Sequence, residues 1–329
     1  MRYQSFLTDS ARWEGFRFRP GDIIISTPAK CGTTWTQMIC GLLIFQTPEF
    51  DRPLDELSPW LEMRLRRRAD TFALYETQTQ RRFIKSHTPL DGLPADERVT
   101  YICVGRDPRD VALSWNAHMS NIEMSTAFAA LAAAVEPGDS FGPPPDRPTF
   151  SDEREAFLHW VDDPTPPQEM AMSLAGTIHH LSTFWAACGG SRRTCRGDTP
   201  RPPGSGRDDV VLLHYDDLHA DLEGEMRRLA GRLDIKVPDH LWPALVAAAS
   251  FGEMRRRADV VAPDTGNRIW KSNAGFFNRG TSRQWCDVVR DEDLAHYEAR
   301  VRELAPPDLA AWLHSGAPLA SPDAHHGTL

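Results

Sequence analysis

The stretch Asp22-Ile23-Ile24-Ile25-Ser26-Thr27-Pro28-Ala29-Lys30-Cys31-Gly32-Thr33-Thr34-Trp35-Thr36 decides the fold. A β-branched apolar run passes through a Pro/Gly turn into an apolar-periodic segment, Thr34 to Phe45. That reads as a buried strand delivered directly into a helix. The first N–H groups of a helix lack intrahelical partners, and the macrodipole is positive there. A phosphate is the natural occupant, with Lys30 adding charge and the Thr33 and Thr34 hydroxyls adding donors. The spacing is not a Walker A sequence, which puts Lys directly after the last Gly; here Lys30 precedes Gly32. A plain strand–turn–helix with an exposed Lys is the competing reading. Cys31 is either a thiol activated by the helix start or a small loop residue. No Arg follows between Thr33 and Cys40 to cradle an anion, which favours the second.

Working outward, Phe83-Ile84, Val99 to Val104 and Val210 to Leu213 are three more buried runs. They alternate with helical patterns at Thr34 to Phe45, Val111 to His118, Leu174 to Ala187 and Asp221 to Leu233. The alternation implies an α/β fold whose central parallel sheet is flanked by helices on both faces. One domain, residues 1–313, is expected, because no linker separates two complete strand–helix sets. Two stretches, about 136–168 and 189–209, are Pro- or Gly-rich and are expected as mobile insertions. Residues 314–329 read as a flexible tail.

The 329 residues carry 37 Lys and Arg against 46 Asp and Glu, a net charge of −9. That balance argues against a nucleic-acid partner, which needs clustered positive charge. Arg66 to Arg68 and Arg255 to Arg257 read as solvated helix faces. Six cysteines without a C-x-x-C pair support neither a disulfide framework nor a zinc site. No apolar leader or bilayer-length run is present, so a cytoplasmic protein without integral membrane association is expected.

Two further segments carry chemistry. Phe83-Ile84-Lys85 runs into Ser86-His87-Thr88-Pro89, and a His just past a strand end could take a hydroxyl proton near neutral pH. A surface His with one hydrogen bond is the plainer alternative. In Tyr101 to Trp115, Asp107 suits a helix cap and Pro108 the first helical position. Arg106 then sits at a strand's carboxyl end, and Ser114 about two turns into the helix. Pairing of Arg106 with Asp107 or Asp110 is the structural alternative.

Taken together these segments resemble the sulfotransferases that use 3′-phosphoadenosine 5′-phosphosulfate (PAPS), and their flanking text looks closest to actinobacterial members. Pro28 to Trp35 is similar to the family's P-K-S-G-T-T-W loop, with Ala29 and Cys31 as variants. Lys85-Ser86-His87-Thr88-Pro89 is similar to its K-x-H-x-P element. Arg106 to Ser114 satisfies its R-x-x-x-D-V-x-x-S signature. Tyr215-Asp216-Asp217-Leu218, Ser250-Phe251-Gly252-Glu253-Met254 and Phe276 to Trp285 resemble its C-terminal elements.

The resemblance implies a single P-loop-kinase-like domain and transfer of a sulfuryl group from PAPS to a hydroxyl acceptor, leaving adenosine 3′,5′-bisphosphate. No metal is implied. Lys30, Thr33 and Thr34 would hold the 5′-phosphate, within a loop that includes Cys31 and Gly32, and Trp35 would stack near the adenine. His87 would be the general base, with Lys85 and Lys30 stabilising the sulfuryl oxygens and the leaving oxygen. Arg106 and Ser114 would hold the 3′-phosphate, Tyr215 and Phe251 the adenine, and Arg279 and Gly280 would close over the 3′-phosphate. Asn278 stands where the family has Arg, so one cation is missing, and Arg283 is the candidate replacement. The alternatives are a P-loop-type small-molecule kinase, a non-catalytic nucleotide-binding module, and a sulfotransferase using an aryl sulfate donor. The acceptor (phenol, alcohol or glycolipid) and the oligomeric state are not legible. Trp60, Phe72, Trp160 and Phe184 line an acceptor site or belong to the core. The 136–168 segment is the expected acceptor lid.

Overall fold

The computed structural model describes residues 1–136, 148–169, 172–189, 207–263 and 265–315. All four expected strands form: β1 (Ile23–Ser26), β2 (Phe83–Ser86), β3 (Thr100–Gly105) and β4 (Val210–His214). They make one parallel sheet in the order β2-β1-β3-β4, with Ser26 opposite Ser86 and Gly105 opposite His214. The chain steps outward from β1 to β2 and then crosses back to β3. The switch point therefore lies between β1 and β3, where α/β sheets open a crevice at their carboxyl ends.

Both faces of the sheet are buried, which is why its strands read as continuous apolar runs rather than alternating ones. Ile24, Ile84, Tyr101, Cys103 and Leu212 face one apolar layer, and Ile23, Ile25, Phe83, Ile102, Val104 and Leu213 the other. The first layer is completed by helices Leu174–Ala187, Asp291–Leu304 and Pro307–Ser315 through Leu181, Tyr297 and Trp312. The second is completed by helices Thr33–Phe45, Leu222–Arg232 and Trp242–Ala249 through Met38, Leu229 and Leu245. A Cβ on Gly105 would lie 2.3 Å from the Trp312 ring, so only glycine lets the last helix close on the end of β3. Asp22 and Arg82, each 2% exposed, pair at the amino ends of β1 and β2.

Local chemistry sets the helix starts. The Pro108–Ser120 helix opens with Pro at its first position, and the Asp107 carboxylate accepts the Arg109 N–H at 3.0 Å. Composition predicts no helix between 136 and 168, yet Glu153–Asp162 is one. Asp152 caps it, accepting from the Glu155 N–H at 2.8 Å, and Ala156, Phe157, Trp160 and Val161 bury one face in the first layer. Part of the expected mobile insertion is thus core, because four apolar side chains at helical spacing outweigh the prolines around them. Residues 137–147 and 190–206 of the two expected insertions, and the expected tail from 316, lie outside the described residues; His314 and Ser315 end the last helix.

Candidate active site

Between β1 and the Thr33–Phe45 helix the backbone turns through two left-handed residues, Lys30 (φ 67°) and Gly32 (φ 104°). Gly32 is the helix cap, and among the described residues no side chain caps the first turn, whose N–H groups lack intrahelical partners. A Cβ on Gly32 would touch the Tyr215 ring at 3.4 Å in a conformation that L residues rarely adopt. The Thr33 and Thr27 hydroxyls share a hydrogen bond at 2.5 Å.

Beyond this loop, at the carboxyl ends of the strands, lies a cleft of about 1670 Å³. Lys30, Gly32, Thr33, Thr34 and Trp35 line it from the loop, Lys85 and His87 from β2, and Arg106 and Ser114 from the turn after β3. Tyr215, Phe251, Asn278, Arg279 and Gly280 line it from the C-terminal elements. Cys31 is not among the lining residues. Its side chain is fully buried in the first apolar layer, burial pushes its thiol up to about 12, and its N–H bonds the Pro28 carbonyl at 3.3 Å. An activated thiol is excluded by that environment.

Positive charge converges in the cleft of an acidic chain. Lys30 Nζ lies 3.4 Å from His118 Nδ1 and 4.7 Å from the centre of the Phe276 ring. Burial first, then Arg106 and Lys85, pull its pKa down to about 7. Arg106 donates from Nη1 to the Lys30 carbonyl and from Nη2 to the Thr281 carbonyl, both at 3.1 Å. Its Nε is buried without a hydrogen-bond partner. Its charge acts on Asp110, and both nearby carboxylates hold hydrogen-bond partners of their own. Asp107 pairs with Arg109 at 2.6 Å, and Asp110 accepts the N–H groups of Arg283 and Gln284 at 2.8 Å each. Lys85 Nζ sits 4.7 Å over the Trp60 ring.

His87 is 8% exposed, and its Nδ1 lies 2.6 Å from the Thr27 carbonyl oxygen. A carbonyl only accepts, so Nδ1 carries the proton and Nε2 keeps its lone pair. Burial, and then Lys85, hold the ring's pKa well below the usual histidine range. The imidazole is therefore neutral at pH 7, as a proton acceptor must be.

On the far side, Trp35 donates its indole N–H to the Ala249 carbonyl at 2.8 Å and meets Tyr215 edge to face at 5.3 Å. The Tyr215 face is covered by the Arg106 guanidinium at 4.2 Å. Gly280 has φ 67°, and a Cβ there would fall 2.4 Å from the Phe251 ring. Arg279 is exposed at the cleft. Arg283 is also exposed but does not line the cleft, so it does not restore the cation lost at Asn278.

Trp60 and Trp160 line the cleft, whereas Phe184 is fully buried and Phe72 packs on Phe16 at 5.3 Å. Pro148 to Phe150, from the expected lid, also reach it. His118 and Trp270, which sequence reading does not single out, join them, as do Phe276 and Gln284 of the C-terminal element, to which it assigns no role. His118 was within reach of sequence reasoning, since it follows Ser114 by four residues on the same helix face.

A model of the sulfotransferase domain matches residues 20–189 and 204–305, which include the loop, Lys85, His87, Arg106 and the C-terminal elements. The chain belongs to the sulfotransferase domain family. The glycolipid sulfotransferase of Mycobacterium bovis is 38% identical to it over 324 residues, 95% of this chain and 94% of that protein. Among solved structures, mouse sulfotransferase SULT7A1 complexed with PAP superposes with a TM-score of 0.64 at 16% identity, covering 94% of this chain and 93% of that one. Retinol dehydratase in a complex with retinol and PAP gives 0.63 at 17%, covering 96% and 89%. At such identities the likeness shows the fold alone, the P-loop-kinase-like fold of sulfotransferases. As a sulfotransferase this enzyme moves sulfuryl groups. Among the described residues no His, Cys, Asp and Glu group could hold a metal ion, and no helix is long and apolar enough to cross a membrane.

Proposed function

We propose that this sulfotransferase takes the sulfuryl group of PAPS and delivers it to a hydroxyl of a glycolipid-like acceptor, with His87 as general base. When bound, the donor supplies an activated sulfuryl group on a phosphate leaving group, moved in line through a loose transition state of dispersed charge. The uncapped helix start and the orphaned Arg106 Nε fit such a bisphosphorylated nucleotide, and Gly280 packs against the Phe251 ring at the same cleft. In this reading Lys30, Thr33 and Thr34 hold the 5′-phosphate beside the helix N–H groups. Arg106, Ser114, Arg279 and Gly280 hold the 3′-phosphate, and Trp35, Tyr215 and Phe251 confine the base. Lys85 steadies the sulfuryl oxygens, and His87 Nε2 receives the acceptor's proton.

The observation that carries the proposal is the convergence of Lys30, Lys85 and a neutral His87 on one cleft. The glycolipid class rests on the Mycobacterium bovis relative and on the apolar wall of Trp60, Phe128, Phe150, Trp160 and Ile269. Calorimetric titration with adenosine 3′,5′-bisphosphate in EDTA, alongside ATP, tests the donor. Micromolar bisphosphate binding without metal is the expected result. Binding of ATP only after Mg²⁺ is restored, with none of the bisphosphate, would hand the site to a kinase.

A further inference from the structure

We infer that Glu62 is a positioning residue for His87, an inference that rests on the general-base reading above. Along an extended segment successive side chains point to opposite sides. Lys85 and His87 face the cleft, so Ser86 and Thr88 face away from it. Both of those hydroxyls donate to one oxygen, Glu62 Oε1, that of Thr88 at 2.8 Å. The Trp13 indole N–H donates to the same oxygen at 2.6 Å, and Ser86 Oγ accepts the Thr88 N–H at 3.0 Å. The backbone joins in, the Leu61 N–H donating to the Lys85 carbonyl at 3.4 Å. Glu62 thus grips the residues on either side of His87 from behind, while Thr27 holds the ring from the front.

The carboxyl group is fully buried, and among the described residues it pairs with no cation and its Oε2 has no hydrogen-bond partner. Burial pushes its pKa up, and the three donors pull against that. A buried acid without a cation is costly, and an apolar side chain of similar volume would avoid that cost. What such a side chain lacks is a single oxygen on which Trp13, Ser86 and Thr88 can meet. Thr27 decides which nitrogen of His87 is basic; Glu62 decides where the ring stands.

The test compares full-length Glu62→Leu, Glu62→Gln and Ser86→Ala/Thr88→Val with wild type for kcat, acceptor KM and calorimetric bisphosphate Kd. Glu62→Leu should lose about 10- to 100-fold in kcat, as small misplacements of a reacting group do, with Kd and KM within about threefold. Glu62→Gln keeps an accepting oxygen and should recover to within about fivefold of wild type. A Glu62→Leu enzyme with kcat near wild type, or with kcat and bisphosphate affinity lost together, overturns the inference. If Glu62→Leu does not fold, the Ser86→Ala/Thr88→Val enzyme carries the same two outcomes. His87→Ala run in parallel separates the layers. Turnover by that variant sinks the general-base reading itself, whereas an inactive His87→Ala beside an active Glu62→Leu sinks only the role of Glu62.

Discussion

His87 Nδ1 hydrogen-bonds the carbonyl of Thr27, so a backbone oxygen at the end of β1 selects the tautomer of a side chain at the end of β2. No carboxylate is involved in that bond. The ring is held neutral and oriented without a charge that would compete for the cations around it.

Replacing His87 by Ala should lower transfer by about 10²- to 10⁴-fold, the usual worth of a positioned general base. Bisphosphate affinity should stay within a few-fold, because His87 is assigned no donor contact. Parallel turnover assays and titrations decide the matter; loss of both together would contradict a purely basic role.

Burial, and then the neighbouring Arg106 and Lys85, pull the Lys30 pKa down to about 7. An arriving phosphate restores the charged form, so binding above pH 7 takes up a proton. Bisphosphate affinity should therefore fall as pH rises from 7 to 9, by up to about tenfold per unit. Calorimetry in buffers of different ionisation enthalpy reads that uptake directly, and Lys30→Met should abolish it. A flat affinity profile for the wild-type protein would remove Lys30 from the anion site.

His180, whose Nε2 lies 3.3 Å from Ser26 Oγ, is pulled by burial from 6.5 down to about 3. Below pH 6.5 the unfolded chain takes up a proton that the folded one refuses. Stability should fall as pH drops through the window from 6.5 to 3, by up to about 1.4 kcal/mol per unit, and His87 adds to the same slope. Above 6.5 neither group contributes. Urea midpoints at pH 7.5 and 5 measure this, and His180→Gln should flatten the difference.

Gly280→Ala places a methyl group inside the Phe251 ring and strains a left-handed backbone. Overpacking of that kind costs about 1–3 kcal/mol. Here it should appear as roughly tenfold or greater loss of bisphosphate affinity, because Phe251 and Gly280 both line the cleft. Unchanged affinity would mean that the 278–280 segment does not close on the nucleotide.

The sheet was legible because a parallel strand buried on both faces is an uninterrupted apolar run, as in Ile23-Ile24-Ile25. The loop was legible because Lys30, Gly32 and two threonines coincide where a strand feeds a helix, and all four line the cleft. Other features depend on what folding brings together. Cys31 sits in the loop by sequence, but the left-handed residues on either side of it turn its side chain into the core. The Glu153–Asp162 helix hides among prolines, and its signal, Ala156, Phe157, Trp160 and Val161, is only four residues strong. Glu62 belongs to no motif; its meaning comes from Trp13, Ser86 and Thr88, which lie far from it along the chain. Arg283 was placed near the anion site by register alone, whereas its backbone, not its side chain, does the work by capping Asp110.

The sheet order β2-β1-β3-β4 has an evolutionary reading. Lys30, His87 and Arg106 follow three neighbouring strands, so about 4.8 Å of strand spacing sets their separations. The aromatic side chains that also line the cleft, Phe150, Trp160, Trp270 and Phe276, stand on segments outside the sheet. On the proposed reading, changes at Phe150 or Trp160 would alter the acceptor space while Lys30, His87 and Arg106 keep their mutual geometry. On that reading such a scaffold would let a lineage diversify its substrates without rebuilding its reaction.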